Sequence, residues 1–193
     1  MEHDFTAGQA MGLEEAAAGQ AMGLEEAIRT RRTHKAFGPE PVPRETLLQL
    51  FELASWAPNH HLTNPWRFRV LGPRAKELLA EEAEREKQGA ARKLQRAPTL
   101  VVVSVVLDGD EGQRRDDLLA TAVAAYIVLL GAHAIGLASY WRSLSLLDTP
   151  AVRTLLGILD DEQPIGLLHL GNPIQAQRVP PRAPAEEIAV FLD

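Results

Sequence analysis

Between Leu118 and Ala132 the chain is almost continuously apolar, and this run governs what the rest can be. At about 15 residues it falls short of the ~20 that a helix needs to cross a bilayer. It is rich in Ala, Tyr126 interrupts it, and His133 follows directly. A helix that is apolar all round belongs inside a protein. The reading is a buried core helix over 116–136, with Asp116 and Asp117 at its N-terminus, where the helix dipole favours negative charge. The other elements must then pack around it, and no membrane role is expected.

The flanking sequence supplies those elements. Trp66, Phe68 and Val70 alternate with Arg67 and Arg69, the pattern of a half-buried strand over 66–71. Residues 99–107 contain LVVVSVV, a strand buried on both faces. Shorter strands are expected at 137–141 and 165–170. Helices are expected at 24–32, at 47–56 with apolar residues at helical spacing, at 73–95 with a charged solvated face, and at 149–156 with Pro150 in the first turn. Asp108–Gln113 and Gly171-Asn172-Pro173 are expected to turn. The chain after Pro173, with Pro180, Pro181 and Pro184, is expected to run extended and wrap over something. Few strands without strict alternation predict an α+β fold, a central mostly antiparallel sheet flanked by helices, in a single domain over 23–193 with one hydrophobic core.

The front of the chain reads differently. AGQAMGLEEA occurs at Ala7–Ala16 and again at Ala18–Ala27. A perfect tandem copy, once only, is not a solenoid, which needs about three units. Residues 1–22 are read as a duplicated segment of cloning or start-site origin, or else as a helical extension, and take no part in the functional argument. The segment is acidic and has no apolar core, unlike a signal peptide.

Several chemistries are excluded. With no Cys there is no disulfide scaffold, zinc–thiolate site, iron–sulfur cluster or cysteine nucleophile, and a reducing cytoplasm suits the chain. A net charge of -6 argues against bulk nucleic-acid binding. There is no G-x-G-x-x-G, P-loop, G-x-S-x-G or H-E-x-x-H. Asp108-Gly-Asp110 lacks the spacing of a calcium loop. The adjacent His60 and His61 are expected to point apart, with no carboxylate partner for a metal.

Three segments carry possible chemistry. Arg31-Arg32-Thr33-His34-Lys35-Ala36-Phe37 is either a solvated basic run at a helix C-terminus or an anion site, since two guanidinium forks and a hydroxyl suit a phosphate. Ala57–Trp66 is a helix–strand loop in which His60 and Asn64 can both donate and accept hydrogen bonds, as a planar heterocycle requires. Tyr140-Trp141-Arg142-Ser143 follows a strand, where loops carry function.

In this order and spacing the three segments resemble the FMN-dependent nitroreductase family. RRTHKAF is similar to its Arg-x-Ser-x-x-x-Phe signature, with Thr33 in the Ser place. APNHHLTNPWRF is similar to its Ala-Pro-x-x-x-x-x-Gln-Pro-Trp-x-Phe loop, with Asn64 in the Gln place. YWRS resembles the Trp-Arg-Ser segment of the short branch, and LHLGNP its Leu-Gly-x-Pro strand end. The likeness runs from residue 24 to about residue 175.

The resemblance implies a homodimer with two FMN sites at the subunit interface and the long helix packed near it. It implies that Arg31, Arg32 and Thr33 hold the phosphate and ribityl chain, with Lys35 a weaker candidate. His60 and Asn64 would lie near the flavin, His60 and Trp56 reaching the cofactor held mainly by the partner. Trp141, Arg142 and Ser143 would complete the pocket. The family's C-terminal basic contacts have no clear match, Arg178 and Arg182 being candidates. Asn64 is one methylene shorter than Gln, which favours a water-mediated contact. The implied activity is reduction of nitroaromatics, quinones or similar acceptors by NADH or NADPH in two alternating hydride transfers. The alternatives are a non-catalytic flavin-binding protein and a relative with another flavin-dependent reaction.

Overall fold

Residues 22–192 are described by the computed structural model; the duplication reading for residues 1–22 lies outside them save for Met22. In chain order the elements are α1 (Leu24–Thr30), α2 (Arg44–Ser55), β1 (Trp66–Val70), α3 (Pro73–Glu86), α4 (Ala91–Leu94), β2 (Thr99–Val106), α5 (Glu111–Ala134), β3 (Ala138–Arg142), α6 (Pro150–Leu156), β4 (Glu162–Gly171) and α7 (Ala185–Ile188). Single 3-10 turns lie at His60–Leu62 and Ser145–Asp148.

The strands form one antiparallel sheet in the order β1-β2-β4-β3. Side chains on a strand alternate between faces, and β2 and β4 are apolar on both. Val101, Val103, Leu168 and Leu170 therefore pack on one face against Leu47, Leu50 and Ala54 of α2 and the alanines of α5. Leu100, Val102 and Leu167 pack on the other against Leu79 of α3, Leu94 of α4 and Val152 of α6. Two core clusters share one sheet, where a single core was expected. The sheet needs cover on both sides, and each helix layer supplies its own.

Helix α5 begins five residues earlier than expected. Asp110 caps it, its carboxylate accepting from the Gln113 N–H at 2.9 Å, so Asp116 and Asp117 lie in the second turn and Asp108–Gln113 is not a free turn. The helix is long and apolar enough to cross a membrane by length and composition. Its Ala120, Ala124, Ala125, Val128, Leu129 and Ala132 are nevertheless buried in the protein core. Burial is one-sided: Leu119, Val123 and Tyr126, at helical spacing, are exposed.

Three other expectations shift. The charged helix 73–95 is broken, because Gly89 adopts φ 78° and the Glu84 carboxylate accepts from the N–H groups of Gly89 (2.7 Å) and Ala91 (3.0 Å), which starts α4. Gly171-Asn172-Pro173 does not turn. It runs on in extended form, Asn172 O accepting from the Gly38 N–H at 2.9 Å and Pro173 bridging Phe37. Residues 178–192 are exposed throughout, so the tail does not wrap its own domain.

One ionic network ties the sheet together. The Arg69 guanidinium donates to both Glu162 carboxylate oxygens at 2.6 Å, to Ser104 Oγ at 2.9 Å and to Gly157 O at 3.0 Å. Ser104 donates to Glu162 as well. Burial works to raise the Glu162 pKa, but the bonds from Arg69 and Ser104 and the charge of Arg69 hold it below the usual carboxylate value.

Candidate functional site

The basic segment leaves α1 at Arg31, whose ψ of 130° ends the helix. It then runs beside the outer strand of the sheet. Thr33 bridges Ser139 in parallel, and the His34 N–H donates to Ser139 O at 3.0 Å. Extended alternation buries His34 and leaves Thr33 and Lys35 exposed. Arg31 and Arg32 are half-buried. Arg32 Nη1 donates to Arg31 O at 2.6 Å, but its Nε is buried with no partner. Nearby, Ser139 Oγ and His34 Nδ1 are buried and unpartnered too.

His133, at the C-terminal end of α5, closes this cluster. Thr30 Oγ1 donates to Glu26 O at 2.6 Å, so it accepts from His133 Nε2–H at 2.8 Å. Burial first, then the charges of Arg31, His34 and Arg32, hold the His133 pKa below the ordinary imidazole value, against a weaker pull from Glu26. Burial and then Arg31 lower that of His34. Both imidazoles are thereby biased to the neutral form, leaving Arg31 and Arg32 as the fixed positive charges. Two half-buried guanidinium groups with an open donor, beside an exposed hydroxyl, suit a phosphate group.

The His60–Asn64 loop is held elsewhere. Asn59 Oδ1 accepts from the Asn64 N–H at 2.7 Å, and Asn59 Nδ2 donates to Thr63 Oγ1 at 3.0 Å. Thr63 Oγ1 donates in turn to Asp117 Oδ1 at 2.5 Å, an oxygen that Gln113 Nε2 also reaches at 3.0 Å. Three non-glycine residues here have left-handed backbone: His61 (φ 59°), Leu62 (φ 52°) and Asn64 (φ 48°). Such strain persists where surrounding bonds over-determine it, and it gathers at functional sites. The His61 backbone also corrects the expectation for the two histidines, whose rings meet at 3.9 Å rather than pointing apart. Asn64 Nδ2 is used within the loop, donating to Leu62 O at 2.8 Å. His60 is exposed, and Trp56, ending α2, is 83% exposed.

The end of β3 divides its residues between faces. Trp141 packs against the α5-side core and donates from Nε1 to Ile165 O at 3.2 Å. Gly166 makes room for it: a Cβ there would lie 2.2 Å from Trp141 Nε1. Tyr140 faces the opposite core and stacks on His169 at 5.3 Å. Arg142 is half-buried with Nη1 unpartnered, and Ser143 is exposed.

The structure thus places Arg31–Thr33 and Trp141–Ser143 at one sheet edge, joined through Ser139. It does not bring His60 and Asn64 there within one chain. Their loop is anchored at Asp117 and the basic cluster at His133, about 24 Å apart along α5 at ~1.5 Å per residue. Arg178 and Arg182 are exposed in the tail. Sequence reasoning missed His133, Ser139 and Asp117. Asp117 had a signal, being a carboxylate at the edge of an apolar run.

The antiparallel four-stranded sheet between two helix layers is a fold shared with solved nitroreductase-like proteins. A nitroreductase-like protein from Bacillus cereus superposes with a TM-score of 0.82 at 25% identity, over 92% of this chain and all of that one. The FMN-dependent nitroreductase NfnB from Mycobacterium smegmatis, solved with NADPH, shares the fold at TM-score 0.74 and 22% identity, over 88% of this chain and 97% of that one. Sequence agrees. "Putative NAD(P)H nitroreductase YfhC" of Bacillus subtilis is 30% identical over 83% of this chain and 89% of its own length. An iodotyrosine deiodinase of Nematostella vectensis is 26% identical over 86% of this chain and 73% of its own. The nitroreductase family model matches residues 28–172, and the chain belongs to that family.

Proposed function

We propose that the chain is a cytoplasmic FMN-dependent oxidoreductase that uses NADH or NADPH to reduce nitroaromatics, quinones or similar electron-poor acceptors. The observation that carries the reading is the set of buried, unpartnered donors at the sheet edge, Arg32 Nε and Arg142 Nη1, beside the half-buried Arg31. A buried donor without a partner is costly, and a phosphate-bearing ligand relieves that cost. NfnB, with the same fold, is FMN-dependent.

Each residue then has a task. Arg31, Arg32 and Thr33 bind the phosphate and the adjoining hydroxyl chain, a charge-assisted bond contributing about 1.5–3 kcal/mol. His34 and His133, biased toward the neutral form, leave that charge to the arginines. Trp141, fixed by Ile165 O, supplies a rigid apolar wall with Arg142 and Ser143 beside it. When bound, FMN supplies the hydride-accepting and hydride-donating ring; the protein binds and orients it.

The site is completed by a second copy. Between Asp117 and His133, α5 exposes Leu119, Val123 and Tyr126. An antiparallel pairing of two copies of α5 about a two-fold axis covers this stripe. It also sets the His60–Asn64 loop and Trp56 of one copy near the Arg31 cluster of the other.

The test is the visible spectrum of the purified protein, loaded with FMN if colourless, followed by anaerobic addition of NADH or NADPH. A yellow protein that bleaches and then reduces a nitroaromatic supports the reading. A colourless protein that cannot be loaded refutes it. The deiodinase relative favours a second reading, a different flavin-dependent reaction; bleaching without turnover of nitroaromatics or quinones would select it. A yellow protein that never bleaches would indicate a flavin-binding protein without catalysis.

A further inference from the structure

A concavity of about 560 Å³ opens beside the C-terminal end of β1 and the start of β2. Its floor is Leu47, Leu71, Leu94 and Leu100, all buried. Pro39, Pro41, Pro73 and Pro98 supply much of the wall, and a proline ring locks φ, so these segments yield little. Hydrogen bonds pin them further. The Val42 N–H donates to Thr99 Oγ1 at 2.9 Å, and the Leu71 N–H to Leu100 O at 2.9 Å. A preformed apolar hollow of this size, with few polar groups, falls in the ~300–1,000 Å³ range of small-molecule sites. None of its lining residues belongs to Arg31–Phe37, the 59–64 loop, the end of β3 or the exposed stripe of α5. Neither the proposed cofactor nor the proposed pairing of α5 accounts for it.

One cation enters this apolar surround. Lys76 of α3 is half-buried and donates from Nζ to Pro98 O at 2.6 Å and to Ala97 O at 3.2 Å. An ammonium has three protons, so one remains to give. Among the described residues Lys76 forms no ion pair. Its neighbour Glu77 also lines the concavity, but that side chain is exposed and pairs with Arg74 at 2.8 Å. A lysine that only covered apolar surface with its stem would carry its head out to water. Here the head turns to two carbonyls instead, and burial lowers the Lys76 pKa. The ammonium is held partly out of water without a counter-charge, whereas charges withdrawn from water are ordinarily paired.

We infer that this concavity binds a small amphiphilic carboxylate, its apolar body on the leucine floor between the proline walls and its carboxylate on Lys76. One cation with one proton to spare matches a monoanion. A phosphate, with more oxygens and more charge, finds too few donors here. The site is separate from the flavin chemistry and does not depend on the proposed function.

The experiment titrates octanoate, and its neutral counterpart 1-octanol, by calorimetry into the full-length protein loaded with FMN. Two variants are compared with the wild type. Lys76→Met keeps the stem and removes the charge. Val70→Trp fills the concavity from an exposed position on β1 and leaves Lys76 in place. The wild type should bind octanoate at least about tenfold more tightly than octanol, the contribution of one charge-assisted contact. Lys76→Met should lose that preference and still bind octanol; Val70→Trp should weaken both ligands by a similar factor. Amide NMR shifts caused by octanoate should centre on Leu71, Thr99 and Leu100. The inference is overturned if the wild type binds octanoate no more tightly than octanol, if Lys76→Met keeps the preference, or if Val70→Trp binds like the wild type. Octanoate that competes with FMN, or shifts that centre on 31–37, would assign it to the cofactor site and overturn the inference equally. So would octanoate binding that appears only after residues 185–193 are removed, since the tail of a second copy would then be the occupant. If Lys76→Met fails to fold, the wild-type preference and the Val70→Trp comparison decide. If the protein takes up no FMN, the proposed function falls, and the same titrations on the protein as purified still decide whether the concavity binds a carboxylate.

Discussion

Removing Arg69 should destabilise the protein far more than neutralising its partner. The Glu162 carboxylate is 2% exposed and accepts two bonds from the guanidinium at 2.6 Å. Arg69→Ala leaves that carboxylate buried with the Ser104 hydroxyl and the Leu159 backbone in place of a charge partner. Breaking a buried pair in this way costs about 3–5 kcal/mol. Glu162→Gln keeps the shape, and Arg69, with a 22% exposed side chain, can turn to water; the cost should be nearer ~1–2 kcal/mol. For a chain of this length the first change lowers Tm by roughly 6–20 °C, at about 2–4 °C per kcal/mol. The acid dependence has a defined sign. The folded-state pKa of Glu162 is lowered, so its contribution is fully present above the unfolded value of about 4.3. It is lost as pH falls through the folded value. Urea unfolding of wild type and both variants, at neutral pH and again below pH 4, gives the comparison. The gap between wild type and Glu162→Gln should shrink in acid. Arg69→Ala within about 1 kcal/mol of wild type, against the 3–5 expected, or Glu162→Gln as costly as Arg69→Ala, would refute the reasoning.

Three further outcomes are expected. Arg31→Ala should weaken FMN binding by at least about tenfold, one charge-assisted phosphate contact, read by quenching of flavin fluorescence; unchanged affinity counts against the phosphate assignment. Asp117→Ala removes the anchor of a loop with three left-handed residues, each costing about 1–2 kcal/mol. Amide exchange should accelerate at 59–64 while β2 stays protected, and equal protection of the loop would show that Asp117 does not hold it. Val123→Glu places a charge in the exposed α5 stripe and should shift the protein toward monomer in analytical ultracentrifugation, with FMN retention falling in parallel. A variant as dimeric as wild type would exclude this stripe as the interface.

Long-period patterns were legible in the sequence, and local backbone geometry was not. The apolar run 118–132 and the LVVVSVV strand identified the core helix and the central strand, because burial selects residue type over many positions. The break at Gly89 depends on the Glu84 carboxylate reaching two N–H groups across a turn, which helical periodicity does not encode. The start of α5 was placed too late because charge marked Asp116 and Asp117, whereas the capping bond belongs to Asp110. At the site, Arg31–Phe37 stood out as charge concentrated within seven residues. His133 and Ser139 did not, because they join the cluster only when α5 and the sheet edge fold against it.

The separation of the two site halves along α5 has a genetic consequence. In the proposed two-fold assembly each site draws its phosphate clamp from one copy and its 59–64 loop from the other. A chain that has lost its clamp around Arg31 and a chain that has lost its loop at Asp117 should each be impaired alone. Co-expressed, they form mixed pairs in which both lesions fall on the same site and the other site is whole. Two impaired alleles should therefore complement each other, to at most about half of one normal enzyme's sites per mixed pair.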